Sequence, residues 1–275
     1  MQYNRIPKSN LHTHTCFCDG KDSPEQIVRA AIDGGMEVIG FSGHSYTAFE
    51  TSYCMTPHGT QEYREEILRL RSLYGDRIGI LLGLEQDLYS DAPADTYDYL
   101  IGSAHFVLVN GEYCAVDDTR EIQLDTVRRH FGGSFYRYAK AYYETVAEVA
   151  DKTACDIVGH FDLITKFNGD GSLFDESDPQ YIRYAIDALD ALLEKDVIFE
   201  INTGASSRGY RRAPYPAPIL LRRIGEKRGR ITFSSDAHSA SHLMHGFYEA
   251  MGIARASGCG SVWMMTRNGW RECPL

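Results

Sequence analysis

The sequence predicts an α/β protein whose parallel strands close into a barrel, and three observations carry that expectation. Seven short segments rich in apolar or β-branched residues recur along the chain, most of them followed by helical periodicity. Strands that alternate with helices pair in parallel. Six of the seven segments end in imidazoles or carboxylates, which a parallel barrel gathers at the one mouth formed by its carboxyl strand ends. No composition shift or Pro/Gly-rich linker divides the 275 residues, so 1–275 is expected to form a single domain of ordinary α/β-barrel size.

The expected strands cover 6–11, 36–42, 78–85, 98–104, 155–160, 197–203 and 230–235. After the first, Ser23-Pro24-Glu25-Gln26 reads as a capping box with proline at the first helical position. Gly34-Gly35 supplies the stop, which predicts a helix over 24–33. The link over 105–154 is the longest and is expected to hold an insertion that sets specificity. Within it Phe135, Tyr138, Ala139, Tyr142, Val146 and Val149 share one helical face, as do Ile182, Ile186, Leu189 and Leu193 further on. PYPAP at 214–218 reads as a loop and the entry to the next helix.

With 43% hydrophobic and 12% aromatic residues the chain can bury a large core, which excludes a disordered protein. Twenty-eight basic against 38 acidic residues give a net charge of −10, which argues against nucleic acid as a partner and suits cations instead. The stretch MQYNRIPKSN lacks the apolar centre of a signal peptide, and the longest apolar run, at 78–84, is too short to cross a bilayer. A cytoplasmic protein with no membrane partner is expected. Seven cysteines, odd in number and irregularly spaced, fit reduced thiols better than a disulfide framework.

The chemistry lies after the strands. LHTHTCFCDG brings His12, His14 and Asp19; VIGFSG leads to His44, ILLGL to Glu85, YLIGSA to His105 and DIVG to His160. ITFSS leads to Asp236 and His238. The remaining strand, VIFEIN, ends in Asn202 and runs into Arg208, Arg211 and Arg212. In extended chain, residues i and i+2 point the same way, so His12 with His14 and Asp236 with His238 can each serve one ion or two neighbouring ions. A single His or Asp at a strand end is commonly a loop residue or helix cap; recurrence at six strand ends favours metal binding. Nine nitrogen and oxygen ligands exceed the four to six one ion needs, which points to a bi- or trinuclear centre. Cys16 and Cys18 are expected to stay outside it, and His58, His130, His242 and His245 read as surface or helix histidines.

Taken together, HTH at 12–14, SGH at 42–44 with GLE at 83–85, SAH at 103–105 with GHFD at 159–162, and SDAH at 235–238 resemble the polymerase and histidinol phosphatase (PHP) superfamily over nearly the whole chain. Gly43 stands where many members have Asp, at a position that is usually not a ligand. FCDG, GHFDLITKFN and EINTGASSRG followed by YPAP are most similar to its histidinol-phosphate phosphatase branch. The resemblance implies a distorted, TIM-like (β/α)7 barrel with three divalent ions, commonly zinc with iron or manganese. By position, His12, His14, Glu85 and Asp236 would hold one ion; Glu85, His105 and His160 a second; Asp19, His44 and His238 a third.

The activity this resemblance implies is metal-dependent hydrolysis of a small phosphate monoester, L-histidinol phosphate above all, in histidine biosynthesis. Glu85, Asp236 and His238 would form the catalytic set with Arg208. A guanidinium matches phosphate bidentately, so Arg208, with Arg211 or Arg212, is expected to grip phosphate oxygens near Asn202. Asp117 and Asp118, in the long connection, are candidates for the substrate's cationic groups. Two alternatives stand beside this reading: a PHP phosphoesterase acting on nucleotides or other small esters, and a noncatalytic metal-stabilised sensor or scaffold. Amidohydrolase-type barrels usually add a bridging lysine, and no lysine stands at a strand end.

Overall fold

Parallel pairing runs through the whole central sheet of the computed structural model, which describes residues 8–275. Its strands are β1 (Ser9–Asn10), β2 (Val38–Phe41), β3 (Gly79–Asp87), β4 (Tyr99–Ser103), β7 (Ile157–Val158), β8 (Ile198–Asn202) and β9 (Arg230–Ser234), adjacent in that order. Each falls on one of the seven expected segments; residues 6 and 7 of the first lie outside the described residues. Beyond the ends of β1 and β9 the sheet closes through a parallel bridge between Thr13 and Ala237. There His14 N–H donates to Ala237 O at 2.9 Å and Ala237 N–H to His12 O at 3.1 Å. The result is a seven-stranded, TIM-like barrel.

Leu11, Val38, Tyr99, Ile101 and Ile157 form a buried cluster of their own inside the barrel. Tyr99 fills the space between strands: its hydroxyl donates to the carbonyls of Leu11 and Phe41. Gly40 and Gly83 make room for it. A Cβ at Gly83 would lie 2.2 Å from Tyr99 Cζ, and one at Gly40 2.4 Å from its hydroxyl. Below, Met265 and Trp270 pack against the same cluster. They come from the antiparallel hairpin of β10 (Ser261–Thr266) and β11 (Gly269–Pro274), an element the strand pattern did not predict.

Helix α1 (Pro24–Asp33) has the predicted bounds and capping box, with the Ser23 side chain accepting from Gln26 N. Helix α2 (Pro57–Tyr74) lies between β2 and β3. The insertion after β4 contains the hairpin β5 (Phe106–Val109) and β6 (Glu112–Ala115), then α3 (Arg120–Phe131), α4 (Phe135–Val146) and α5 (Val149–Thr153). Val149 thus belongs to a separate helix, because α4 ends at Ala147. In α6 (Pro179–Leu193) the buried face is Tyr181, Ala185, Ala188, Leu189 and Leu192, rotated by about one residue from the expected stripe. Small alanines let that side approach its neighbours, while Ile182, Ile186 and Leu193 flank it half-buried. A single turn, α7 (Gly204–Ser207), follows β8. PYPAP forms the expected loop, and Pro218 opens α8 (Pro218–Lys227). All seven cysteines are free thiols, and no helix among the described residues is long and apolar enough to cross a membrane.

Candidate metal centre

At the carboxyl end of the barrel nine side chains from six strand ends meet. The bridge that closes the sheet also sets their direction: Thr13 and Ala237 pair, so the residues flanking each, His12 and His14 with Asp236 and His238, turn to the same side. A second bridge, His44 to Glu85, does the same between β2 and β3. Asp236 takes φ +46°, in the left-handed region that Asp tolerates better than most residues.

Glu85 lies at the centre. Its Oε2 is 3.3 Å from His12 Nε2, 3.6 Å from His14 Nε2 and 2.9 Å from His44 Nδ1. Its Oε1 is 2.9 Å from His160 Nε2 and 3.4 Å from His105 Nε2. Asp236 Oδ1 stands 3.1 Å from His14 Nε2 and 3.7 Å from His12 Nε2. Asp19 reaches in from the loop after β1, with Oδ1 3.5 Å from His14 Nδ1 and 3.6 Å from His44 Nε2, and Oδ2 2.9 Å from His238 Nε2. Four overlapping groups of potential ligand atoms result: His14, Asp19, His44 and His238; His12, His14 and Asp236; His12, Glu85 and His160; His44, Glu85 and His105.

These atoms fit divalent ions. Ligands about 2.1 Å from one ion stand roughly 3.4 Å apart along a tetrahedral edge, which is the spacing found here. His12 Nε2, His14 Nε2 and Glu85 Oε2 are buried without a hydrogen bond of good geometry. Three orphaned polar atoms aimed at common points are costly unless something binds them. The electrostatics agree. Burial opposes ionisation of Glu85, but His44, His12 and His105 outweigh it and hold its carboxyl well below the usual range. Burial likewise opposes protonation of His12, yet Glu200, Glu85 and Asp236 raise its pKa well above the ordinary value. Burial, reinforced by His238 and His44, lowers His14 to about 3, so its imidazole is neutral and available as a ligand.

A supporting layer that the strand-end pattern did not reveal holds these groups. Glu200, inside β8, is buried with Oε2 2.9 Å from His12 Nδ1, and accepts from Ser234 Oγ at 2.6 Å, His160 N at 2.6 Å and Asn202 Nδ2 at 2.7 Å. The carboxylate thereby fixes the His12 tautomer that presents Nε2 to the centre. Asp87 plays the same part for His105, 3.2 Å from its Nδ1. Ser103 Oγ donates to Glu85 Oε1 at 2.7 Å. A carboxylate in the middle of the otherwise apolar VIFEIN was the available signal, since such a group is seldom buried without a partner.

The centre opens into a cavity of about 280 Å³ lined by Tyr53, Phe106, Asp117, Lys166, Arg208 and Tyr210, among others. Arg208 reaches the ligands, donating to Asp236 Oδ2 at 3.0 Å and lying 2.7 Å from His238 Nδ1. The other expected phosphate arginines do not. Arg211 is tied to Glu176 at 2.9 and 3.1 Å and to Thr165 O, and Arg212 is exposed; both line a separate hollow. Asn202 is also corrected: fully buried, it donates to Glu200 beneath the ligands and does not line the cavity. Asp117 lines the cavity, but its carboxylate lies 2.9 Å from Lys166. Burial opposes its ionisation, and Lys166 with His105 overcomes that and lowers it to about 2. Cys18 touches the rim, its Sγ 3.6 Å from His14 Nδ1, and neither it nor Cys16 joins a ligand group. His130, read as a surface or helix histidine, lies in the last turn of α3, mostly buried beside Glu112 and Cys114.

The PHP domain family model matches residues 10–204, which is most of the chain and spans every strand but the last of the barrel. The chain belongs to the PHP domain family. It is 28% identical over 262 residues to a protein of Deinococcus radiodurans named "Probable histidinol-phosphatase", covering 91% of this chain and 94% of that one. It is 26% identical to the histidinol-phosphatase of Bacillus subtilis, covering 89% and 98%. The crystal structure of the Lactococcus lactis histidinol phosphate phosphatase, complexed with zinc, L-histidinol and phosphate, has the same fold. It matches with a TM-score of 0.70 and 20% identity, over 96% of this chain and 98% of that one.

Proposed function

We propose that this protein is a metal-dependent phosphomonoester hydrolase whose substrate is L-histidinol phosphate. The observation that carries the reading is the ring of nine ligands with orphaned buried atoms at its centre, opening into a cavity that holds Arg208. The relatives named histidinol-phosphatase, matched over about nine-tenths of the chain, supply the substrate.

The ligand set would hold divalent ions, which when bound would neutralise phosphoryl oxygens and lower a water's pKa toward neutrality, chemistry suited to a very slowly hydrolysing bond. We assign three ions, zinc with iron or manganese: one to His12, His14, Glu85 and Asp236, one to Glu85, His105 and His160, and one to Asp19, His44 and His238. The protein's own groups do the rest. Glu85, ionised and enclosed by imidazoles, would offer both carboxylate oxygens to the centre. Arg208, held in place by its bond to Asp236, would donate to a phosphate oxygen in the cavity. Lys166, across the cavity, is held by the Asp117 carboxylate at 2.9 Å, so that pair adds no net charge. Beneath the candidate ligands Glu200, Asn202 and Ser234 are buried and satisfy one another's hydrogen bonds, which keeps the supporting layer rigid. A cytoplasmic location is part of this reading, since the substrate belongs to amino-acid synthesis.

The test is phosphate release from L-histidinol phosphate, an aryl phosphate and nucleoside monophosphates by metal-loaded protein, before and after chelation. Strong preference for L-histidinol phosphate, abolished by chelator, is expected. Preference for nucleotides would replace the substrate assignment, and release from none of them under full loading would overturn the enzymatic reading.

A further inference from the structure

We infer that Glu50 is the residue that recognises the positive charge on the leaving-group side of the substrate, an inference that rests on the proposed phosphatase function. Six carboxylates line the cavity: Asp19, Glu50, Glu85, Asp117, Asp118 and Asp236. Asp19, Glu85 and Asp236 belong to the ligand cluster, and Asp117 is neutralised by Lys166 at 2.9 Å. Glu50 and Asp118 alone among them have no cationic partner among the described residues. A cavity whose floor would hold cations and whose wall carries unpaired carboxylates is polarised for a molecule with phosphate at one end and an ammonium a few bonds away.

Of the two, Glu50 is the organised one. Its Oε1 accepts from Ser52 N at 2.7 Å and Ser52 Oγ at 2.6 Å, which orients the carboxylate and leaves Oε2 unengaged. Asp118 is exposed and makes no comparable contacts. The loop that carries Glu50 is held on both sides. Phe49 stacks face to face on Tyr113 of β6, with centroids 3.7 Å apart and planes 1° from parallel, and meets Phe106 edge-on at 5.0 Å. Tyr53 packs edge-on against His44, 4.8 Å away. The aromatic clasp therefore joins the loop after β2 to the inserted hairpin and fixes Glu50 in the wall beside the ligands. A preoriented carboxylate costs less to order on binding and discriminates more sharply.

The test uses the metal-loaded protein and three monoesters: L-histidinol phosphate, ethanolamine phosphate as a second ammonium ester, and p-nitrophenyl phosphate, which carries no cation. The readout is kcat/KM for each ammonium ester divided by kcat/KM for the aryl ester. Wild type is expected to favour the ammonium esters. Glu50→Gln keeps the shape and loses the charge, and is expected to lower the ratio about 10- to 100-fold, with a smaller fall for Asp118→Asn. Metal content of each variant reports that the centre has assembled. An unaltered ratio in Glu50→Gln, a larger fall in Asp118→Asn, or a wild type indifferent to the ammonium overturns the inference. The proposed function fails on a different result: wild type preferring ethanolamine phosphate to L-histidinol phosphate, with that preference still lost in Glu50→Gln.

Discussion

Single residues decide whether the centre can be loaded. Glu200 touches no ion in the proposed arrangement, yet it fixes His12 from behind. Glu200→Gln should therefore weaken metal binding about 10- to 100-fold, measured by competition with a chelator; unchanged affinity would reduce Glu200 to a packing role. Arg208→Ala should lower kcat/KM about 100- to 1,000-fold by removing a charged donor at the phosphate, and an unchanged value would remove it from the site. Proton competition has a definite sign. Carboxylates overcome the burial that opposes protonation of His12, His44 and His105, and raise their pKa values in the metal-free protein. They hold protons below those raised values and must release them to bind an ion. Affinity should accordingly fall as pH is lowered and protons should be released on loading, both readable by calorimetry in buffers of different ionisation enthalpy. The nine candidate ligands that meet at the mouth were legible because each stands at or near the carboxyl end of an expected strand segment and two pairs show i, i+2 spacing. Glu200 and Asp87 were not: Glu200 falls mid-segment, where pattern reasoning looks for apolar residues, and β3 runs on to Asp87, past the expected end at 85. Arg211 and Arg212 misled for the opposite reason: proximity in sequence to Arg208 says nothing of Glu176, which takes Arg211 away.

Elements are where sequence patterns spoke most clearly and where one was missed. Helix α1 announced both ends through Ser23, Pro24 and the Gly34-Gly35 pair, while α6 was rotated because buried alanines carry less pattern weight than flanking isoleucines. The hairpin of β10 and β11 turns at Arg267 and Asn268 before Gly269, and Asn-Gly between apolar runs is a strong hairpin signal. It lay outside the β/α alternation, and so outside the expected strand set. Inside the barrel, Tyr99 and Gly83 form a unit no local pattern predicts, because the contact spans two strands. Gly83→Ala would force a methyl into the Tyr99 ring and should destabilise the fold by about 2 kcal/mol or more in urea unfolding. An unaltered midpoint would show that the ring has room to move.

For the molecule as a whole, the inference from distant residues to one mouth depended on a closed parallel sheet. The seven segments made that legible, and the Thr13–Ala237 bridge completes it. Of the cavity wall, Arg208, Asp117 and Asp118 were named from the sequence, but Glu50, Tyr53 and Lys166 were not, since they come from loops whose paths depend on tertiary packing. The most direct measurement is a titration of metal-free protein with zinc while phosphate release from L-histidinol phosphate is followed. No release without metal is predicted, with activity appearing only as more than one ion per chain is bound. Full activity in the metal-free protein, saturation at a single ion, or silence at full loading would contradict it.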